Sequence, residues 1–130
     1  MIIEKNINFA MLNKSIDGLW LRQQISMENI ANYSTPGYKS KYVDFESQLK
    51  NKLTNISEKD KSSTIKEKIQ SSNIIIGEND EQSLRLDGNN VDLEKENLQL
   101  AKTQLQYMYT VTEINSYFSK LSSVISEGKK

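Results

Sequence analysis

The chain has 130 residues, with 17 basic and 17 acidic side chains and neither histidine nor cysteine. Without His and Cys it lacks the commonest general base, thiol nucleophiles, thiolate metal ligands and disulfides, and a net charge of zero with no basic stripe offers nothing to a nucleic-acid backbone. A hydrophobic content of 36% is low for a chain that must build a core alone, so burial completed by partners is expected.

Residues 6–32 carry helical spacing. Phe9, Leu12, Ile16 and Leu19 lie three or four apart, and Ile30 rejoins the stripe after the polar steps Gln23 and Ser26. Gly18 weakens this helix by ~1 kcal/mol relative to Ala. The opening MIIEKNINFAML, with Glu4 beside Lys5, does not read as a secretory signal peptide, and no apolar run is long enough to span a membrane as a helix. The single proline, Pro36, pushes Thr35 out of the α region, so the helix ends by Ser34. Pro36-Gly37 suits the centre of a type II turn, with Gly37 at positive φ. Asn29 and Asn32 can hydrogen-bond backbone groups where the helix frays. Tyr38, Tyr42 and Phe45 then form an aromatic segment whose spacing fits a strand or a helical turn.

Residues 46–85 are rich in Ser, Lys, Asn and Glu. Leu49, Leu53 and Ile56 suggest a weak helical extension, after which order is expected to fail, and residues 58–72 are expected to bury little. Ile74 to Ile76 before Gly77 reads as a short strand or an anchoring turn. Residues 77–90 read as a loop with at most a short strand near Leu84–Leu86. From Asp92 to Ser126, steps of four and three through Leu100, Tyr107, Val111, Ile114, Phe118, Leu121 and Ile125 mark a long helix, with Gln104 in one polar slot. Ala101, Leu105 and Met108 widen its apolar face. Asp92 is the expected N-cap, Glu94 and Glu96 suit the first turn, and Gly128 with Lys129 and Lys130 marks the stop.

The expected fold is mainly α. Long N- and C-terminal helices pair as a coiled-coil-like hairpin through Phe9, Leu12, Ile16, Leu19, Leu105, Val111, Ile114, Phe118 and Leu121, around a polar, partly disordered middle with at most short strands. This divides the chain into segments 1–45, 46–85 and 86–130, and the hairpin still exposes apolar surface on its second flank. No catalytic, cofactor or metal site is expected. Ser47-x-x-Lys50 and Ser63-x-x-Lys66 are chance matches in so Ser- and Lys-rich a chain, and Asp80/Glu81 and Glu94/Glu96 read as solvated acids.

Asn29-Ile30-Ala31-Asn32 followed by Thr35-Pro36-Gly37-Tyr38-Lys39 resembles the NIANxxTPGYK box of bacterial flagellar rod, hook and related axial proteins. Gly88-Asn89-Asn90-Val91-Asp92-Leu93-Glu94-Lys95-Glu96 resembles the GNxVDxExE element before their C-terminal helix. The ordered pair, covering residues 6–45 and 86–126, looks most like the proximal rod members, and the middle carries none of it. The resemblance implies a structural subunit of the flagellar basal body rod, exported by the flagellar type III apparatus without a cleaved signal peptide. It further implies helical stacking through the terminal helices to transmit torque, beside FlgC-, FlgF- and FlgG-like subunits, a FliE-type adaptor and the MS ring. Neither nucleic-acid binding nor direct membrane insertion is expected. The alternative is a soluble helical-hairpin adaptor or secretion chaperone that does not polymerise. It would share the stripes but has no reason to carry both boxes.

Overall fold

A computed structural model describes residues 2–129, with side chains described over residues 6–129. Helices α1 (Ile2–Ala31) and α4 (Leu93–Glu127) form the long pair, and between them run β1 (Lys41–Asp44), α2 (Glu46–Thr54), α3 (Ser62–Gln70) and β2 (Ile75–Glu78). The mainly helical hairpin with only short strands is as expected; Lys130, part of the expected stop, lies outside the described residues. The long helices are antiparallel. Phe9 of α1 stacks on Tyr117 near the end of α4 at 4.9 Å, and Glu96 near the start of α4 meets Ser26 and Asn29.

The chain breaks where proline demands it. The Tyr38 N–H donates to the Thr35 carbonyl at 3.3 Å with Gly37 at φ +71°, which closes a turn around Pro36-Gly37. The aromatic segment resolves as a strand: β1 pairs antiparallel with β2, placing Tyr42 opposite Gly77 and Val43 opposite Ile76. The outer edge of β1 is covered by side chains of α1. Asn29 Nδ2 donates to the Lys41 carbonyl at 2.7 Å, the Lys41 N–H donates to Asn29 Oδ1 at 2.9 Å, and Arg22 Nη2 donates to the Val43 carbonyl at 2.9 Å. The helix thus stands in for a neighbouring strand and satisfies the edge.

Two apolar clusters hold this layer to α1. In the first, Leu19, Ile25, Val43 and Phe45 are buried, with Leu21, Ile74 and Tyr107 packed against them. Gly18 has a positive use here, because a Cβ on it would lie 2.3 Å from the Phe45 ring. Arg22 sits over that ring, 4.8 Å from its centroid, and forks onto Glu46. In the second cluster Ala10, Leu49 and Ile69 are buried among Ile7, Met11, Leu53 and Ile65.

The middle segment therefore differs from expectation. Instead of losing order it forms α2, α3 and β2, and within residues 58–72 Ile69 is completely buried. Its composition hides this, because one apolar residue per turn suffices to dock a short helix on a longer one. No strand forms at Leu84–Leu86 among the described residues.

The helix seam is also displaced on α4. Thr103 and Thr110 are buried against α1 and Tyr107, Val111 and Ile114 are half-buried, whereas Leu105 (69%) is exposed. Phe118 and Leu121 stay on the α1 side though half open to solvent, Phe118 edge-on to Phe9 at 5.3 Å and Leu121 beside Leu12. The threonines are small, and their hydroxyls are matched within α4: Gln99 Nε2 donates to Thr103 Oγ1 at 3.1 Å and Thr110 Oγ1 donates to the Gln106 carbonyl at 2.8 Å. Their burial leaves no polar atom unpaired. On α1, Phe9, Leu12 and Ile16 are half-buried, while Leu19 turns to the β layer.

Candidate functional site

The structure brings the two sequence boxes into one junction, where the end of α1, the turn after it and the entry to α4 meet. Asn89 and Asn29 are both 0% exposed there. The Asn89 amide donates to three carbonyls just past α1, those of Asn32 (2.8 Å), Tyr33 (3.0 Å) and Thr35 (2.9 Å). These carbonyls belong to the turn that follows α1, and Asn89 joins the Thr35 N–H, Arg85 and the Tyr38 N–H in bonding them. The other side-chain atom of Asn89 is used as well, since Oδ1 accepts from the Val91 N–H at 2.9 Å. Asn32 works locally, its Nδ2 donating to the Glu28 carbonyl at 2.8 Å.

Around Asn89 the backbones are laced together. The Gly37 N–H donates to the Asp87 carbonyl at 2.8 Å, and Lys39 Nζ donates to the Gly88 carbonyl at 2.8 Å. Gly88 takes φ +78°, which only glycine adopts without strain. Asn90 ties three strands of chain together. Its Oδ1 accepts from the Ser40 N–H at 2.7 Å, and its Nδ2 donates to the carbonyls of Asn79 (2.8 Å) and Glu81 (3.1 Å). Asp92 caps α4 by accepting from the Lys95 N–H at 3.1 Å, and Val91 is buried behind it.

Three titrating groups feel the junction. Burial raises the Tyr38 phenol above its ordinary value, helped by the nearby Glu28 carboxylate, and its hydroxyl donates to Asn29 Oδ1 at 3.0 Å. The Glu28 carboxylate, accepting from Lys41 Nζ at 2.6 Å, raises that ammonium. Burial raises the Glu96 carboxyl, outweighing the polar groups of Asn29 and Ser26 that face it.

Of the residues the sequence singled out, Asn29, Asn32, Thr35, Gly37, Tyr38, Gly88, Asn89, Val91 and Asp92 meet here. Ile30 is half-buried on α1, and Ala31, Pro36 and Glu94 are exposed at its rim. Arg85, outside both boxes, is one the sequence did not mark. It donates to the Tyr33 carbonyl at 2.7 Å, lies 4.5 Å from the Tyr33 ring centroid and pairs with Asp87 at 2.8 Å. Nothing in its sequence neighbourhood signals a partner 52 residues away.

No protein-family model matches the chain. Curated relatives do. It is 34% identical over 116 residues to the flagellar basal body rod protein FlgB of Bacillus subtilis, covering 84% of this chain and 85% of the relative. Against FlgB of Salmonella typhimurium the identity is 32% over 120 residues, covering 82% and 84%. Against FlgB of Borreliella burgdorferi it is 27% over 132 residues, covering 94% and 96%.

The chain belongs to the FlgB family of flagellar basal body rod proteins.

Membership places it in the flagellar basal body, as a structural component of the rod, and among its described residues no helix is long and apolar enough to cross a membrane. In this FlgB-family chain the junction is a structural tie. It fixes the end of α1 and the start of α4 through bonds between segments more than 50 residues apart.

Proposed function

We propose that this chain assembles helically with neighbouring rod subunits through its α1–α4 pair, so that the finished rod carries torque. The observation behind this is the outer face of α4. Leu98, Leu105, Met108 and Tyr109 are all exposed although α1 already covers another face of the same helix. A helix apolar on more than one side belongs inside an assembly, and an exposed patch of this kind marks an interaction surface. The junction supports the same role, because it sets both helices at one angle and lets them present a constant surface to each neighbour. Those neighbours are FlgC-, FlgF- and FlgG-like subunits, with a FliE-type adaptor and the MS ring at the base, reached by type III export of the unfolded chain.

The test is the double variant Leu105→Ser with Met108→Ser. Both residues are exposed, so folding stability should stay within about 0.5 kcal/mol of the parent. The variant should be made and exported, yet be missing from isolated basal bodies and fail to support swimming. Normal incorporation would sink the proposal. A parent chain that remained in the cytosol would favour the adaptor or chaperone.

A further inference from the structure

Charge that cancels over the whole chain is separated within it. Residues 47–72 hold six lysines against Glu58, Asp60 and Glu67, whereas residues 73–94 hold six acids against Arg85 alone. The fold carries the two groups to different places on α1. The lysine-rich α2 and α3 dock beside Ile7, Ala10 and Met11, and Lys14 Nζ reaches the Gln70 carbonyl at 3.3 Å. The acidic segment sits at the other end, bonded to Asn32, Tyr33, Gly37 and Ser40. Met11 and Tyr33 are ~33 Å apart along the helix direction. Lys50, Lys59, Lys61 and Lys66 are exposed on the first lobe, and Glu78, Asp80 and Glu81 on the second; none of them is in an ion pair among the described residues.

The acidic end also carries an apolar projection. Leu84 and Leu86 are fully exposed on either side of Arg85. The loop is nevertheless held in place, by Arg85 on Tyr33 and by Ser83 Oγ, which donates to the Asn89 carbonyl and accepts from the Arg85 N–H. A pinned loop that holds two leucines in water has the form of a binding element rather than of a slack connection.

Given the rod-subunit function proposed above, we infer that the acidic loop of one copy, residues 78–87, docks head to tail on the lysine-rich α2–α3 lobe of a second copy. The leucines supply the apolar centre, against half-buried Leu53, Ile56 and Ile65 of the lobe, and the opposed charges set the orientation. Because the two patches are different surfaces, the contact is heterologous and repeats from copy to copy instead of closing as a pair.

The experiment is sedimentation velocity of the full chain at low and high salt, with helix content checked by circular dichroism. The parent should self-associate, and salt should weaken that association. Lys61→Glu with Lys66→Glu should lower the association constant about tenfold, and Asp80→Lys with Glu81→Lys should do the same. All four changes in one chain should restore it to within about threefold of the parent, since each head-to-tail contact then carries the reversed charges. Leu84→Ser with Leu86→Ser should weaken association at every salt concentration. Self-association indifferent to all these changes would overturn the contact and leave the rod-subunit function standing, which fails separately if the chain is absent from isolated basal bodies. A parent that stays monomeric, associates only when other rod subunits are added, or is not restored by the combined variant would overturn it too.

Discussion

At the box junction, polar side chains are buried and matched within the chain. Asn29 and Asn89 are fully covered, their amides and oxygens are used, and no buried side-chain polar atom among the described residues lacks a partner. The outer face of α4 is the reverse, with apolar side chains such as Leu105 and Met108 left exposed. A hydrogen bond needs one partner in one direction, so a short motif can complete it locally. Covering a second apolar face on a helix 35 residues long needs area, which a small chain does not have to spare. The junction is thus finished on folding and the stripe is finished on assembly.

The comparison can be broken most directly at Asn89. Asn89→Ala removes a buried side chain that bonds three carbonyls and the Val91 N–H at once, and should lower unfolding free energy by about 3 kcal/mol in a urea titration. If it unfolds like the parent, the junction does not hold itself together through Asn89.

Gly18→Ala tests whether the β layer truly rests on α1. The added methyl would strike the Phe45 ring, and a net loss of about 2 kcal/mol is expected despite the better helix propensity of alanine. A stabilised variant would mean that Phe45 is free to move away. Gly37 isolates backbone strain, since no atom lies within 4 Å of a Cβ placed there. Gly37→Val should cost about 1.5 kcal/mol and impair swimming, with Gly37→Asn costing less because Asn tolerates positive φ better. Equal costs for the two would point to some cause other than strain.

Glu96 gives the smallest effect. Its folded pKa is raised by burial, so the native state holds the proton more tightly than the unfolded chain does. Stability should therefore fall as pH rises from the ordinary glutamate value through the raised one, and stay lower above it. Glu96→Gln should remove that slope and gain less than about 1 kcal/mol at neutral pH, read from urea midpoints at several pH values. A variant with an unchanged slope would assign it to other carboxylates.

Much of this was legible in local sequence. The span of both long helices, the break at Pro36-Gly37 and the Asp92 cap follow from rules that act within a few residues: periodicity, fixed proline φ, positive glycine φ and the unpaired N–H groups of a helix start. The same rules failed for α3, where sparse isoleucines in a Lys- and Ser-rich stretch looked too weak to order it. They also placed Leu105 in the α1 contact, where the structure leaves it exposed.

What tertiary structure alone decided are choices between surfaces and partners far apart in the chain. Helical spacing identifies apolar stripes on α4 but cannot say which one α1 takes. The chain places α1 against Thr103 and Thr110, whose hydroxyls are satisfied in their own helix, and leaves Leu105 and Met108 outward. Likewise, an asparagine in a short motif announces hydrogen bonding but not its object. Only folding puts Asn89 under carbonyls 54–57 residues earlier, because a directional bond between distant segments leaves no periodic trace in either of them.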